Sequence, residues 1–181
     1  MRAVACSWRV KAASRPKTPC VLAANHASVL DVYCLSALGF DNVLFVAKGW
    51  PFKLPFFRFF MNGARYINAE QLSLPDLLSC CKAGLEAGCD VVIFPQGTRR
   101  NPSARFKGGA FWLSKESGAP VVPVALGGTG TMIPAGKVSL HPANIHLESL
   151  PALRPEDFPG PAGHLEMARE ARKRIFEALE N

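Results

Sequence analysis

The stretch Val21-Leu22-Ala23-Ala24-Asn25-His26-Ala27-Ser28-Val29-Leu30-Asp31 decides the fold. An apolar run of strand length stops at Asn25-His26, and an apolar-periodic segment then begins that carries Asp31 five positions after the histidine. With His26 at the mouth of the turn and Asp31 in the helix that follows, the carboxylate can accept a hydrogen bond from one imidazole nitrogen. That fixes the tautomer and leaves the other nitrogen free as a base. Such a pair needs no serine or cysteine if the attacking hydroxyl belongs to the substrate. The plainer alternative is a histidine at a helix N-terminus with a solvated Asp31, and for the pair alone this is the commoner outcome.

A second stretch shifts the balance. Asp90-Val91-Val92-Ile93-Phe94-Pro95-Gln96-Gly97-Thr98-Arg99-Arg100 again reads as a buried strand running into a Pro/Gly turn, here followed by two arginines and then Phe106-Lys107-Gly108-Gly109. In an open α/β sheet, such strand ends converge on one crevice, so a base from the first and an anion-binding loop from the second form a candidate active site. Arg99 is the foremost cation for a phosphate or carboxylate, because a guanidinium binds such groups bidentately, with Lys107 and Arg100 behind it.

Asn25-His26, four residues and Asp31, followed at this distance by Phe94-Pro95-Gln96-Gly97-Thr98-Arg99, resemble the first and third sequence blocks of the glycerolipid acyltransferases. Within that family they are most similar to the 1-acyl-glycerol-3-phosphate (lysophosphatidate) acyltransferases. Val121-Val122-Pro123-Val124 resembles the fourth block, and the likeness runs from about Trp8 to about Leu150. The resemblance implies a mixed central sheet flanked by helices and acyl transfer to a lysolipid hydroxyl from a thioester donor, acyl-CoA or acyl carrier protein. It implies His26 and Asp31 as the catalytic pair, and Gln96, Gly97, Thr98, Arg99 and Lys107 around the substrate. No metal or tightly bound cofactor is called for.

Two departures concern the acceptor. The third block usually has glutamate where Gln96 stands, and Ala69 occupies the place of the second-block arginine that the family associates with the acceptor's phosphate. Arg65, four residues earlier, would share a strand face with Ala69 and either substitutes for it or is an ordinary surface charge.

The 181 residues, 49% of them apolar, predict one α/β domain over the whole chain. A net charge of +7 points to an anionic partner, and the scattered basic residues with no accompanying motif favour a membrane surface over nucleic acid. The N-terminus lacks an apolar core of signal-peptide length, and no uncharged apolar run of ~18 or more residues occurs, so a cytoplasmic protein peripheral on the inner face of a membrane is expected. Residues 48–61 combine five phenylalanines and a tryptophan with three cations; they suit either a lipid headgroup boundary or an apolar core helix. The six cysteines lack a C-x-x-C pair and metal-type spacing, which predicts reduced, mostly buried thiols.

Further elements follow in chain order. Residues 7–11 read as an edge strand, 20–24 as the central strand, and the helix bearing Asp31 ends at Gly39. Strands are expected at 42–47, 91–94, 120–126, 137–140 and 144–150, and helices at 74–88, 110–116 and 162–179. In the last helix Leu165, Ala168, Ile175, Phe176 and Leu179 mark the packing stripe, and Gly127-Gly128-Thr129-Gly130-Thr131 reads as a flexible loop able to line an acyl channel. His141, His146 and His164 show no metal spacing.

Overall fold

The strand made by Val21–Ala24, β2, is buried on both faces, as a continuous apolar run demands. It lies fourth in a seven-stranded sheet of order β1-β7-β6-β2-β5-β3-β4, where β1 is Trp8–Ala12, β3 Val43–Ala47, β4 Ile67–Asn68, β5 Asp90–Ile93, β6 Val121–Gly127 and β7 Ile145–Ser149. The computed structural model describes residues 7–13, 15–47, 66–101, 103–137 and 139–180. Arg65 and the aromatic-basic stretch 48–61 lie outside the described residues.

The strands β6, β2, β5, β3 and β4 run parallel, whereas β7 pairs antiparallel with β6 and carries β1 parallel to itself at the edge. The mixed α/β sheet expected from the sequence is thus present. Helices α1 (Asp31–Leu35), α2 (Leu74–Glu86), α3 (Gly109–Ser117), α4 (Thr129–Met132) and α5 (Gly163–Glu180) flank it. Alternate residues of the central strands point to opposite cores. Val21, Ala23, Val91 and Val121 pack with Cys81 and Leu85 of α2, Phe111 of α3 and Met167 and Ile175 of α5. Leu22, Ala24, Val92 and Val122 pack with Cys34 and Leu35 of α1. Because β2, β5 and β6 are parallel neighbours, their following loops all leave at one end of the sheet, with the loop of β2 between the other two.

Three local expectations are corrected. Residues 137–140 include no strand among those described, because Pro134 and Gly136 turn the chain and Lys137 N–H bonds back to Pro134 O. The glycine-rich segment after β6 is no flexible loop: it coils into α4, with Thr129 fully buried. Gly128 there has φ +79°, and a Cβ on it would lie 1.9 Å from Asn144 O, so its glycine is a steric requirement. In α5 the expected Ala168 and Ile175 are buried and Phe176 and Leu179 pack against the same core, joined by Met167 and Ala171; only Leu165 faces out, because the small residues set how closely the helix lies on β6.

The thiols follow expectation. Cys20, Cys34, Cys81 and Cys89 are free and buried, while Cys80 is exposed. No helix among the described residues is long and apolar enough to cross a membrane.

Candidate active site

The backbone leaves β2 at Asn25, whose side chain clamps the neighbouring strand. Its Nδ2 donates to Leu126 O (2.8 Å) and its Oδ1 accepts from Leu126 N (2.7 Å). Next, His26 N–H donates to Gln96 Oε1 at 2.6 Å, joining the loop of β2 to the turn after β5. The amide N–H groups of Ala27 and Ser28 both donate to Asp31 Oδ2, at 2.7 and 2.9 Å. Ser28 Oγ donates to Ile133 O just past α4, and Ala27 packs on Gly130, where a Cβ would stand 3.0 Å from its own. The loop that bears the histidine is therefore fixed to β6, β5 and α4.

His26 Nδ1 lies 2.7 Å from Asp31 Oδ2, so the expected pair does meet. An acceptor-only carboxylate oxygen at that distance requires Nδ1 to carry the proton and leaves Nε2 with its lone pair. Asp31 is fully buried, which removes the solvated alternative, and its Oδ2 takes all three donors. Its Oδ1 is buried without a hydrogen-bond partner among the described residues. Burial, together with the charge of Asp31, pushes the Cys34 thiol up to about 11, so the nearby cysteine is a neutral packing group.

The imidazole has a second support that sequence reasoning missed. The Phe94 ring stacks on it with centroids 4.0 Å apart and 20° between planes. A phenylalanine at a strand end reads as core from sequence; only its place beside a polar turn hints otherwise. The clamp made by Asn25 and the tie made by Ser28 were likewise invisible, since their partners lie 101 and 105 residues away.

The third-block turn closes with Gly97 N–H donating to Phe94 O, and Gly97 has φ +65°. Lys107 N–H donates to Pro95 O, which returns the chain to the same turn. The Lys107 side chain then crosses the open face of Gly97, with Nζ 3.1 Å from where a Cβ would be. Thr98 Oγ1 accepts Arg100 N–H (3.2 Å) and so serves the local turn. Arg99 is half-buried on that turn, while Gln96 is almost fully buried beneath His26. His26, Asp31, Gln96, Gly97 and Lys107 are brought together; Arg65 is not described.

A half-open, mainly apolar cavity of about 290 Å³ lies beside α1, lined by Leu22, Phe40, Val43, Phe45 and Val92, with Ser36 and Asp41 also on its wall. Leu22 and Val92 belong to the core against which Phe94 packs. The other histidines are placed elsewhere: His146 beside Glu148, His141 beside Ser139 and His164 edge-on to Trp112. No group of three metal-ligating side chains occurs among the described residues.

Residues 8–127 match the Acyltransferase family. A chloroplastic 1-acyl-sn-glycerol-3-phosphate acyltransferase of Brassica napus is 36% identical over 124 residues, covering 66% of this chain and 36% of the relative. A 1-acyl-sn-glycerol-3-phosphate acyltransferase of Chlamydomonas reinhardtii is 37% identical over 146 residues, covering 77% and 44%. The chain thus spans between a third and a half of the length of these curated relatives. The crystal structure of the 1-acyl-sn-glycerophosphate acyltransferase PlsC from Thermotoga maritima shares the fold, with a TM-score of 0.76 over 94% of this chain and 70% of that one, at 23% identity.

Proposed function

The chain belongs to the acyltransferase family, and from that premise we propose that it moves a fatty acyl group from a thioester, acyl-CoA or acyl carrier protein, to a hydroxyl of a lysophospholipid, 1-acyl-glycerol-3-phosphate first among the candidates. The observation that carries the reading is the short bond between His26 Nδ1 and an Asp31 carboxylate held by two backbone N–H groups. His26 Nε2 takes the proton of the acceptor hydroxyl as its oxygen attacks the thioester carbonyl. Asp31 keeps the ring in the required tautomer and stabilises the imidazolium. As the tetrahedral intermediate collapses, the C–S bond breaks and the imidazolium returns its proton to the departing thiolate. An ester and a free thiol result.

The amide N–H groups of His26, Ala27 and Ser28 are all engaged within the protein, so these three do not serve the oxyanion. That task falls to the third-block side of the crevice, where the Lys107 ammonium lies against Gly97. Lys107 and Arg99 also supply the positive charge that a phosphate-bearing acceptor requires. The mainly apolar cavity beside α1, on the same face as Phe94, suits an acyl chain. Work at a membrane surface, on its cytoplasmic side, accords with a lipid acceptor and with the net charge of +7.

Purified protein and its His26→Ala variant, each given acyl-CoA and lysophosphatidate, test the reading, with the diacyl product followed by mass spectrometry. Product from the wild type alone is expected. Ala69, in the place of the second-block arginine, favours a second reading in which the acceptor lacks a phosphate, such as a lyso-aminolipid. Product with neutral or amino lysolipids but not with lysophosphatidate selects it. Absence of His26-dependent product from any acceptor points instead to a lipid-binding protein on the same fold.

A further inference from the structure

We propose that Gln96 is a positioning residue: its buried amide oxygen fixes the backbone N–H of His26 and thereby aims Nε2, a task that needs an acceptor atom and no charge. The inference rests on the acyl-transfer reading and assigns a part to a side chain that the sequence placed among the substrate contacts. Gln96 is 3% exposed, so its side chain is packed under the histidine rather than offered to a ligand. Its bond to His26 N is the shortest of those that hold the loop.

Geometry explains why this bond matters more than its neighbours. His26, Ala27, Ser28 and Asp31 hydrogen-bond among themselves, so the catalytic pair moves as one unit, tied to α4 through Ser28 Oγ and backed by the Phe94 ring. Orientation relative to substrate therefore depends on what ties the unit to the sheet. Asn25 holds it to β6 on one side, with the ladder already lengthening to 3.4 Å from Asn25 N to Val124 O. Gln96 holds it to β5 on the other, through the very residue that carries the imidazole. The donor is a peptide N–H, which settles that the amide presents oxygen there.

This accounts for glutamine where the resembling family has glutamate. Both present an oxygen to His26 N–H; glutamate exchanges the amide NH2 for a second acceptor oxygen and adds a negative charge. A carboxylate beside the imidazole would stabilise its protonated form. Glutamate at this position therefore keeps the aim but withdraws the free base at a higher pH.

Gln96→Met and Gln96→Glu, assayed for lysolipid acylation beside wild type and His26→Ala, test the inference. Gln96→Met removes the acceptor at similar volume and is expected to lower kcat about 10–100-fold, the effect of a misaimed reacting group, with the acceptor KM nearly unchanged. Exchange protection of the His26 amide proton, followed by NMR, is lost in the same variant. Gln96→Glu recovers kcat relative to Gln96→Met, retains the protection and moves the acid limb of the pH–rate profile to higher pH. A raised KM with wild-type kcat in Gln96→Met would make Gln96 a substrate contact and overturn the proposal. So would full kcat with the amide unprotected, or a Gln96→Glu that is no better than Gln96→Met. If Gln96→Met does not fold, the position of the acid limb in Gln96→Glu decides alone, and an unmoved limb overturns the proposal. Wild type without His26-dependent product overturns acyl transfer itself, an outcome separate from failure of the Gln96 variants alone.

Discussion

Replacing Asp31 by asparagine separates chemistry from folding, because the proposed mechanism gives both tasks to one oxygen of Asp31. Oδ2 accepts from Ala27 N, Ser28 N and His26 Nδ1 at 2.7, 2.9 and 2.7 Å. In Asp31→Asn the amide oxygen can keep all three donors, which forces the NH2 into the place of Oδ1, buried with no acceptor among the described residues. An unsatisfied buried donor costs about 1–3 kcal/mol, and weakening three charge-assisted bonds to neutral ones adds about 1 kcal/mol each. For a chain of this size each kcal/mol lowers Tm by about 2–4 °C, so a fall of roughly 10–20 °C is expected. The catalytic loss is larger in kind. The imidazolium formed as the hydroxyl is deprotonated no longer faces a carboxylate, and kcat/KM should fall about 10³–10⁴-fold, or about 4–5.5 kcal/mol. Asp31→Ala goes further in stability, since it orphans the buried N–H of Ser28 and that of Ala27. Steady-state acylation well below both melting temperatures, with Tm from calorimetry, reads both effects. An Asp31→Asn enzyme that melts low but keeps a third of wild-type kcat/KM would refute the reasoning, because Asp31 would then be only the cap of its loop.

Gly128→Ala should destabilise by about 2–5 kcal/mol, combining left-handed strain with a methyl set against Asn144 O. Gly136→Ala is the control, with a similar φ of +78° but nothing within 4 Å of the new Cβ; equal melting temperatures for the two would refute the steric argument. Burial pushes Glu148 up, but hydrogen bonds from Lys11 Nζ (2.7 Å) and His146 (3.2 Å), and their charges, more than offset it and leave its carboxyl below the ordinary range. A lowered folded value means stability present above the unfolded value and lost as pH falls through the folded one. Glu148→Gln should therefore flatten the acid side of the urea midpoint against pH, and an unchanged slope would assign the loss to other carboxylates. Burial pushes the thiols of Cys34 and Cys81 up to about 11 and 12, so iodoacetamide at pH 8 should modify exposed Cys80 and spare both until urea is added. Peptide mapping that finds Cys34 or Cys81 labelled as fast as Cys80 in the native protein would count against it.

Where the contacts are local, the sequence carried them. Four residues between His26 and Asp31 suffice to bring carboxylate to imidazole, because a turn and the start of a helix are both set by near neighbours. The apolar run of β2 announced a strand covered on both faces. What escaped prediction lies across the sheet. Nothing near Asn25 encodes the backbone of Leu126 as its partner, nor does Phe94 declare that its ring will lie on His26. The glycines of 127–130 misled for the same reason: they suggest freedom locally, whereas Asn144 and Ala27 press on them from elsewhere in the chain. In α5, Leu165 outranks Ala171 as a hydrophobe, yet packing distance selected the alanine.

The two departures, Gln96 and Ala69, differ in where each sits. His26 and Gln96 lie at the ends of β2 and β5, inside the sheet, where every polar group must find a partner and a change of acceptor disturbs the catalytic pair directly. On the proposed role of Gln96, glutamate keeps the acceptor at position 96 and an apolar residue removes it. Ala69 follows β4, a strand of two residues at the sheet edge, and its backbone bond to Ala47 O is indifferent to the side chain. Residue 69 is half-buried, so exchange there of a cation for a methyl leaves the sheet intact, and on the proposed reading it is the acceptor that registers the change. Ala69→Arg should raise the preference for a phosphate-bearing over a neutral lysolipid at little cost in Tm. A variant that instead loses kcat on both acceptors equally would place residue 69 in the support of the catalytic pair.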